Sequence, residues 1–111
     1  QLVISPGTRK ALCIGVEEYA AVNKLRNAVQ DMVSLKSRLE ELCWSVESVY
    51  NPGQRAFKKA IQKFADVVEK SSDACLFAFV GHGVELQGEH FFLPADFELE
   101  EKYRTENRLL Q

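Results

Sequence analysis

Two stretches of this chain are apolar almost without interruption: Ala11-Leu12-Cys13-Ile14-Gly15-Val16 and Ala74-Cys75-Leu76-Phe77-Ala78-Phe79-Val80. Runs this short suit β-strands covered on both faces better than buried helices. Between them the pattern turns helical. Ala28, Val29, Met32, Val33, Leu35, Leu39 and Leu42 recur at steps of about three and four, which predicts a helix with Asn27 as N-cap and an end near Cys43. Residues 44–50 alternate imperfectly and read as a second strand, and Asn51-Pro52-Gly53 is a turn. Phe57, Ala60, Ile61, Phe64, Ala65 and Val68 then mark one face of a second helix, which Ser71-Ser72-Asp73 breaks. The run Ala74–Val80 is read as a third, central strand.

The order strand, helix, strand, helix, strand implies an α/β fold: a mostly parallel sheet with right-handed crossovers and helices on both faces. Residues 1–8 form a leading arm, residues 17–25 a polar loop and residues 84–88 a surface loop. His90-Phe91-Phe92-Leu93 is a candidate short strand before Pro94, and the residues from Glu98 onward are charged and poorly periodic.

In an open sheet of this kind, ligands bind beyond the carboxyl ends of the strands. Gly81-His82-Gly83 stands at such an end. A histidine there is a titratable group at the sheet edge, and glycines on both sides let backbone or substrate come close. Asp31 lies in the first turn of the first helix, where the helix dipole favours a carboxylate.

Composition narrows the function. The 111 residues suit one small domain or a piece of a larger one, and an opening Gln1 in place of Met fits the latter. The net charge of −2, from 14 basic and 16 acidic residues, gives no footprint for nucleic acid or an anionic membrane. No apolar run approaches the ~20 residues of a membrane span. The three cysteines (Cys13, Cys43, Cys75) are odd in number and form no Cys-x-x-Cys pair. A disulfide framework or zinc site is not expected, and reduced thiols point to the cytoplasm. Cys13 and Cys75 are read as buried in strands, and Cys43 as packing beside Trp44.

Four ordered blocks carry a resemblance: Ala11-Leu12-Cys13-Ile14-Gly15, Leu25-Arg26-Asn27-Ala28-Val29-Gln30-Asp31, Phe79-Val80-Gly81-His82-Gly83, and Gly88 to Asp96, ending Leu93-Pro94-Ala95-Asp96. Over roughly residues 9–97 the chain resembles the large-subunit (p20-like) amino-terminal region of caspase-fold cysteine peptidases. Paracaspases, metacaspases and bacterial caspase-like proteins are closest in pattern. The resemblance implies a three-layer α/β/α, flavodoxin-like fold truncated before its later strands, with an incomplete p20 region over residues 9–111. It implies peptide hydrolysis by a cysteine–histidine dyad, with a protein or peptide as substrate. His82 takes the catalytic position, Gly83 offers an oxyanion N–H, and Asp31 matches the pocket acid that selects Arg or Lys before the scissile bond.

Arg26 leaves a second option, since aspartate-specific caspases place an arginine just upstream of this helix. The family's cysteine motif falls ~50 residues beyond the histidine, and none of the three cysteines fits it. The fragment alone is therefore expected to be inactive, with the rest of a caspase-like domain as the partner that supplies the thiol. The other functional class is an inactive caspase-like interaction module. No cofactor is implied. Some metacaspases need calcium and paracaspases generally do not, but no calcium loop is recognisable. A generic flavodoxin-like binding domain fits less well, because Val16-Glu17-Glu18-Tyr19 is no phosphate-cradling loop. His90 is read as a strand residue. Asp96 is read as fixing a turn, with a pocket acid as the alternative. Glu98, Glu100 and Glu101 are read as a solvated loop.

Overall fold

The computed structural model describes residues 9–71 and 74–98. The elements are β1 (Arg9–Gly15), α1 (Ala28–Glu41), β2 (Ser45–Tyr50), α2 (Gln54–Ser71), β3 (Ala74–Val80), β4 (Gly83–Leu86) and β5 (Glu89–Phe92). The first three strands form a parallel sheet in the order β2-β1-β3. Gly15 lies opposite both Tyr50 and Val80, so the three carboxyl ends are level and their loops share one edge.

Alternation along β1 builds the layers. Ala11 and Cys13 face α1 and pack with Met32 and Leu39. Leu12, Ile14 and Val16 face the other way, into a core with Phe57 of α2, Tyr19, Leu93 and Phe97. This is the expected α/β/α arrangement. Gly15 is needed for close approach: a Cβ there would lie 3.0 Å from both the Ala28 carbonyl oxygen and Met32 Cγ. Its absence lets the first turn of α1 lie against the strand end.

The helix ends use chemistry that the sequence reading assigned differently. Asn27 stands at the N-cap position, but in the left-handed region (φ 66°) and without a side-chain cap bond. The cap comes from Glu17, whose Oε1 accepts the Val29 N–H at 2.9 Å. At the other end Cys43 is left-handed (φ 70°) and exposed, so it is a helix-stop residue and not a packing residue. The amides of Cys43 and Trp44 return to the carbonyls of Glu40 and Leu39, each at 3.0 Å, closing a Schellman motif.

Three further expectations are corrected. β1, not β3, is the central strand, and β3 is an edge among the described residues. Cys75 is accordingly exposed, and Phe77 is 39% exposed. An apolar run indicates covered faces but not which strands flank it. The expected loop at 84–88 is instead β4 and the turn of an antiparallel hairpin. Gln87 (φ 52°) and Gly88 (φ 83°) both take the positive φ that a two-residue type I′ turn requires. The loop after β1 is not simply polar, because Tyr19 is 2% exposed within the core.

Helix α2 packs through Phe57, Ala60 and Phe64 as expected. Ile61 and Ala65, placed on the same face by periodicity, are exposed. A cavity of about 470 Å³, lined in part by Leu12, Val49, Ala60 and Phe64, lies between α2 and part of β1 and β2. The leading arm and residues 99–111, including Glu100 and Glu101, lie outside the described residues.

Candidate active site

The carboxyl edge of the sheet is assembled by the loop that leaves β1. Asn51, left-handed at φ 53°, accepts the N–H groups of Glu17 (2.9 Å) and Glu18 (3.1 Å) on Oδ1. Its own N–H donates to the Gly15 carbonyl at 2.8 Å. Glu17 in turn closes the start of α1 and accepts the Leu25 N–H at 3.0 Å on its carbonyl. The loop is thus held to the β2–α2 turn on one side and to α1 on the other. Two of its residues, Tyr19 and Asn23, reach His82.

His82 follows the end of β3 and is half-buried. Its Nε2 lies 2.7 Å from the carbonyl oxygen of Asn23. A carbonyl only accepts, so Nε2 carries a proton, and in the neutral imidazole the lone pair is then on Nδ1. The backbone N–H of His82 donates to the Tyr19 hydroxyl at 2.9 Å, and its carbonyl accepts the Leu93 N–H at 3.0 Å. The Tyr19 hydroxyl donates onward to the Leu93 carbonyl at 3.0 Å, and the Tyr19 and His82 rings are 4.8 Å apart.

Burial pushes the Tyr19 phenol above its ordinary value, and the bond from the His82 amide opposes this in part. The neutral phenol is therefore the folded form. Its contribution to stability is complete below tyrosine's usual value near 10 and is lost as pH rises through the raised one. Gly81 is set by the same contacts, since a Cβ there would lie 2.8 Å from Tyr19 Oη and 2.5 Å from Phe79 Cζ.

Gly83 opens β4 opposite Phe92. The Leu93-to-His82 bond makes Gly83–Phe92 a non-hydrogen-bonded pair of the antiparallel ladder. The N–H of Gly83 therefore points away from β5. Asp31 is exposed in the first turn of α1, and its N–H donates to the Asn27 carbonyl at 2.8 Å. Helix α1 starts against Gly15, so Asp31 and His82 rise from the same edge of the sheet. Arg26 is exposed and forms no ion pair with a described residue. Asp96 lies in the turn after β5, as expected, and its Oδ1 also caps α2 by accepting the Gln54 N–H at 2.9 Å. His90 sits exposed on β5 opposite Glu85.

None of the cysteines approaches His82. Cys13 is buried in β1 against α1, and burial pushes its thiol up while Lys36 draws it down more weakly. Cys43 ends α1. Cys75 pairs in register with Lys10 near the amino end of β3, and the strand beyond it carries the chain roughly 20 Å before His82. A thiol reagent such as Ellman's is expected to label Cys43 and Cys75 quickly in the native chain and Cys13 only on unfolding. The raised thiol value keeps Cys13 neutral as pH passes the ordinary ~8.5, so slow labelling should persist there. Three fast thiols would contradict this arrangement.

Among the described residues, no group of three His, Cys, Asp or Glu side chains is placed to hold a metal ion, and no helix is long and apolar enough to cross a membrane. Sequence reasoning missed Glu17, Tyr19, Asn23 and Asn51. Tyr19 left one signal, as the lone aromatic in the loop. Asn23 left none, because it acts through its backbone carbonyl.

Comparison with known proteins agrees with this geometry. The model of the Caspase domain family (peptidase C14) matches residues 8–111. The chain is 30% identical over 99 residues to mucosa-associated lymphoid tissue lymphoma translocation protein 1 of Homo sapiens, which covers 89% of this chain but only 12% of that protein. A parallel sheet that brings a tautomer-fixed histidine to its carboxyl edge, matched by a family model over nearly its whole length, belongs to the caspase domain family of cysteine peptidases.

Proposed function

We propose that this chain is part of the peptidase domain of a cysteine endopeptidase that cleaves after Arg or Lys. The observation that carries the reading is the bond from His82 Nε2–H to the Asn23 carbonyl, which leaves Nδ1 as a directed base. In the reaction, Nδ1 takes the proton of a cysteine thiol. The thiolate attacks the scissile carbonyl carbon, and the negative charge on its oxygen falls to the outward N–H of Gly83. Nδ1–H then protonates the leaving amine, and the same nitrogen activates the water that hydrolyses the thioester. The thiol comes from outside residues 1–111. Among the described residues the outer edge of β3 is unpaired, and it offers a place for a further strand to carry the thiol.

Asp31 receives the substrate cation. Its carboxylate stands on the first turn of α1 without an ion pair among the described residues. The cysteines, all free, fit a reducing compartment and thus the cytoplasm.

The test is hydrolysis by the full-length protein of fluorogenic peptides that differ only in Arg, Lys or Asp before the reporter. Arg and Lys peptides are expected to turn over and the Asp peptide not to. A preference for Asp would sink the role of Asp31. No turnover of any of the three would favour an inactive interaction module.

A further inference from the structure

The Tyr19 hydroxyl is bonded on both sides, and chemistry fixes the directions. The His82 amide can only donate and the Leu93 carbonyl can only accept, so the single phenol proton points to Leu93. One oxygen thus joins His82, just before the β4–β5 hairpin, to Leu93, just after it. Tyr19 also sits four positions before Asn23, on the same loop. That loop supplies both the anchor for the His82 backbone and the acceptor for the His82 ring. Fixing Tyr19 therefore sets the origin of the imidazole and its hydrogen-bond target relative to each other.

We propose that Tyr19 is the positioning residue of the His82 base, its hydroxyl holding the backbone so that Nε2–H meets Asn23 and Nδ1 faces the reacting thiol. This rests on the reading of His82 as the base. Loss of the oxygen leaves the His82 N–H without its acceptor and frees the ring to leave Asn23. Tyr19 is 2% exposed and packed in the core, so it acts through His82 and not on the substrate. Its effect therefore falls on turnover and on the state of the imidazole, with substrate affinity little changed.

The experiment uses the full-length protein. Tyr19→Phe keeps the ring and removes the oxygen. It is expected to lower kcat by about 10- to 100-fold, the scale of a displacement near 1 Å, with KM within about twofold. A second readout is independent of turnover: carbethoxylation by diethyl pyrocarbonate, mapped by peptide mass spectrometry with exposed His90 as internal reference. The His82-to-His90 ratio is expected to rise roughly fivefold, the factor one net hydrogen bond is worth.

A second variant places 3,5-difluorotyrosine at position 19, which keeps the shape but makes the oxygen a weaker acceptor. Its kcat should fall between those of Tyr and Phe. Full kcat with an unchanged modification ratio in Tyr19→Phe overturns the proposal. If Tyr19→Phe fails to fold, unchanged kcat and ratio in the difluorotyrosine protein overturn it. Activity retained in His82→Ala would instead overturn the base reading itself, whereas an inactive His82→Ala beside a fully active Tyr19→Phe removes only the positioning role.

Discussion

His82→Ala in the full-length protein is expected to reduce kcat/KM on the Arg peptide by about 10²- to 10⁴-fold, the range that a positioned general base supplies. The fold should tolerate the change. The His82 side chain is only half-buried, and both backbone bonds of the residue, to Tyr19 and from Leu93, survive truncation at Cβ. The bond lost is the one from Nε2 to Asn23, a net contribution of about 0.5–1.5 kcal/mol. Activity and stability therefore separate, with near-complete loss of turnover beside a small fall in the melting temperature. Initial rates and a thermal melt on the same sample check this. Turnover at the original rate would remove His82 from the mechanism.

The second large effect is on substrate choice. Asp31→Ala is expected to lower kcat/KM for Arg and Lys peptides by roughly 10- to 150-fold, corresponding to 1.5–3 kcal/mol for hydrogen bonds to a charged group. A peptide with a neutral residue at the same position should be nearly unaffected, so the ratio of the two rates is the quantity to measure. The carboxylate also sits in the first turn of α1, where its interaction with the helix dipole is worth about 0.3–1 kcal/mol of stability. A modest drop in melting temperature with an unchanged rate ratio would leave Asp31 only that structural role.

Much of this architecture is legible in the sequence because it rests on periodicity. The apolar run of β1, the three-and-four spacing of α1 and the Asn51-Pro52-Gly53 turn each act locally, and each appears where expected. His82 is legible for the same reason, as a titratable residue between glycines after an apolar strand. What periodicity cannot carry is sequence-distant pairing. Tyr19 looks like one aromatic in a polar stretch, and only the fold brings its hydroxyl to an amide 63 positions away. Glu17 caps a helix twelve residues on, displacing the adjacent and better-looking Asn27. The edge position of β3, and with it the exposure of Cys75, depends on which strands flank it. The candidate strand at His90–Leu93 appears as β5, whereas β4 and its pairing with β5 escape the sequence because Gln87-Gly88 is a weaker turn signal than Asn-Gly or Asp-Gly.

The cap of α2 has a consequence for how the chain comes together as it is made. The first amide of α2, at Gln54, is satisfied by the carboxylate of Asp96, 42 residues later, and the Ala95 N–H closes on the Pro52 carbonyl at 2.8 Å beside it. Gly53 leaves room for this, as a Cβ there would lie 2.7 Å from Asp96 Oδ2. At ribosomal rates of about 5–20 residues per second, Asp96 emerges about 2–8 s after Gln54. Throughout that interval α2 lacks its cap. The clamp can form only once β3, His82 and the hairpin after it have left the exit tunnel, so the histidine edge is synthesised before α2 is fastened at its amino end.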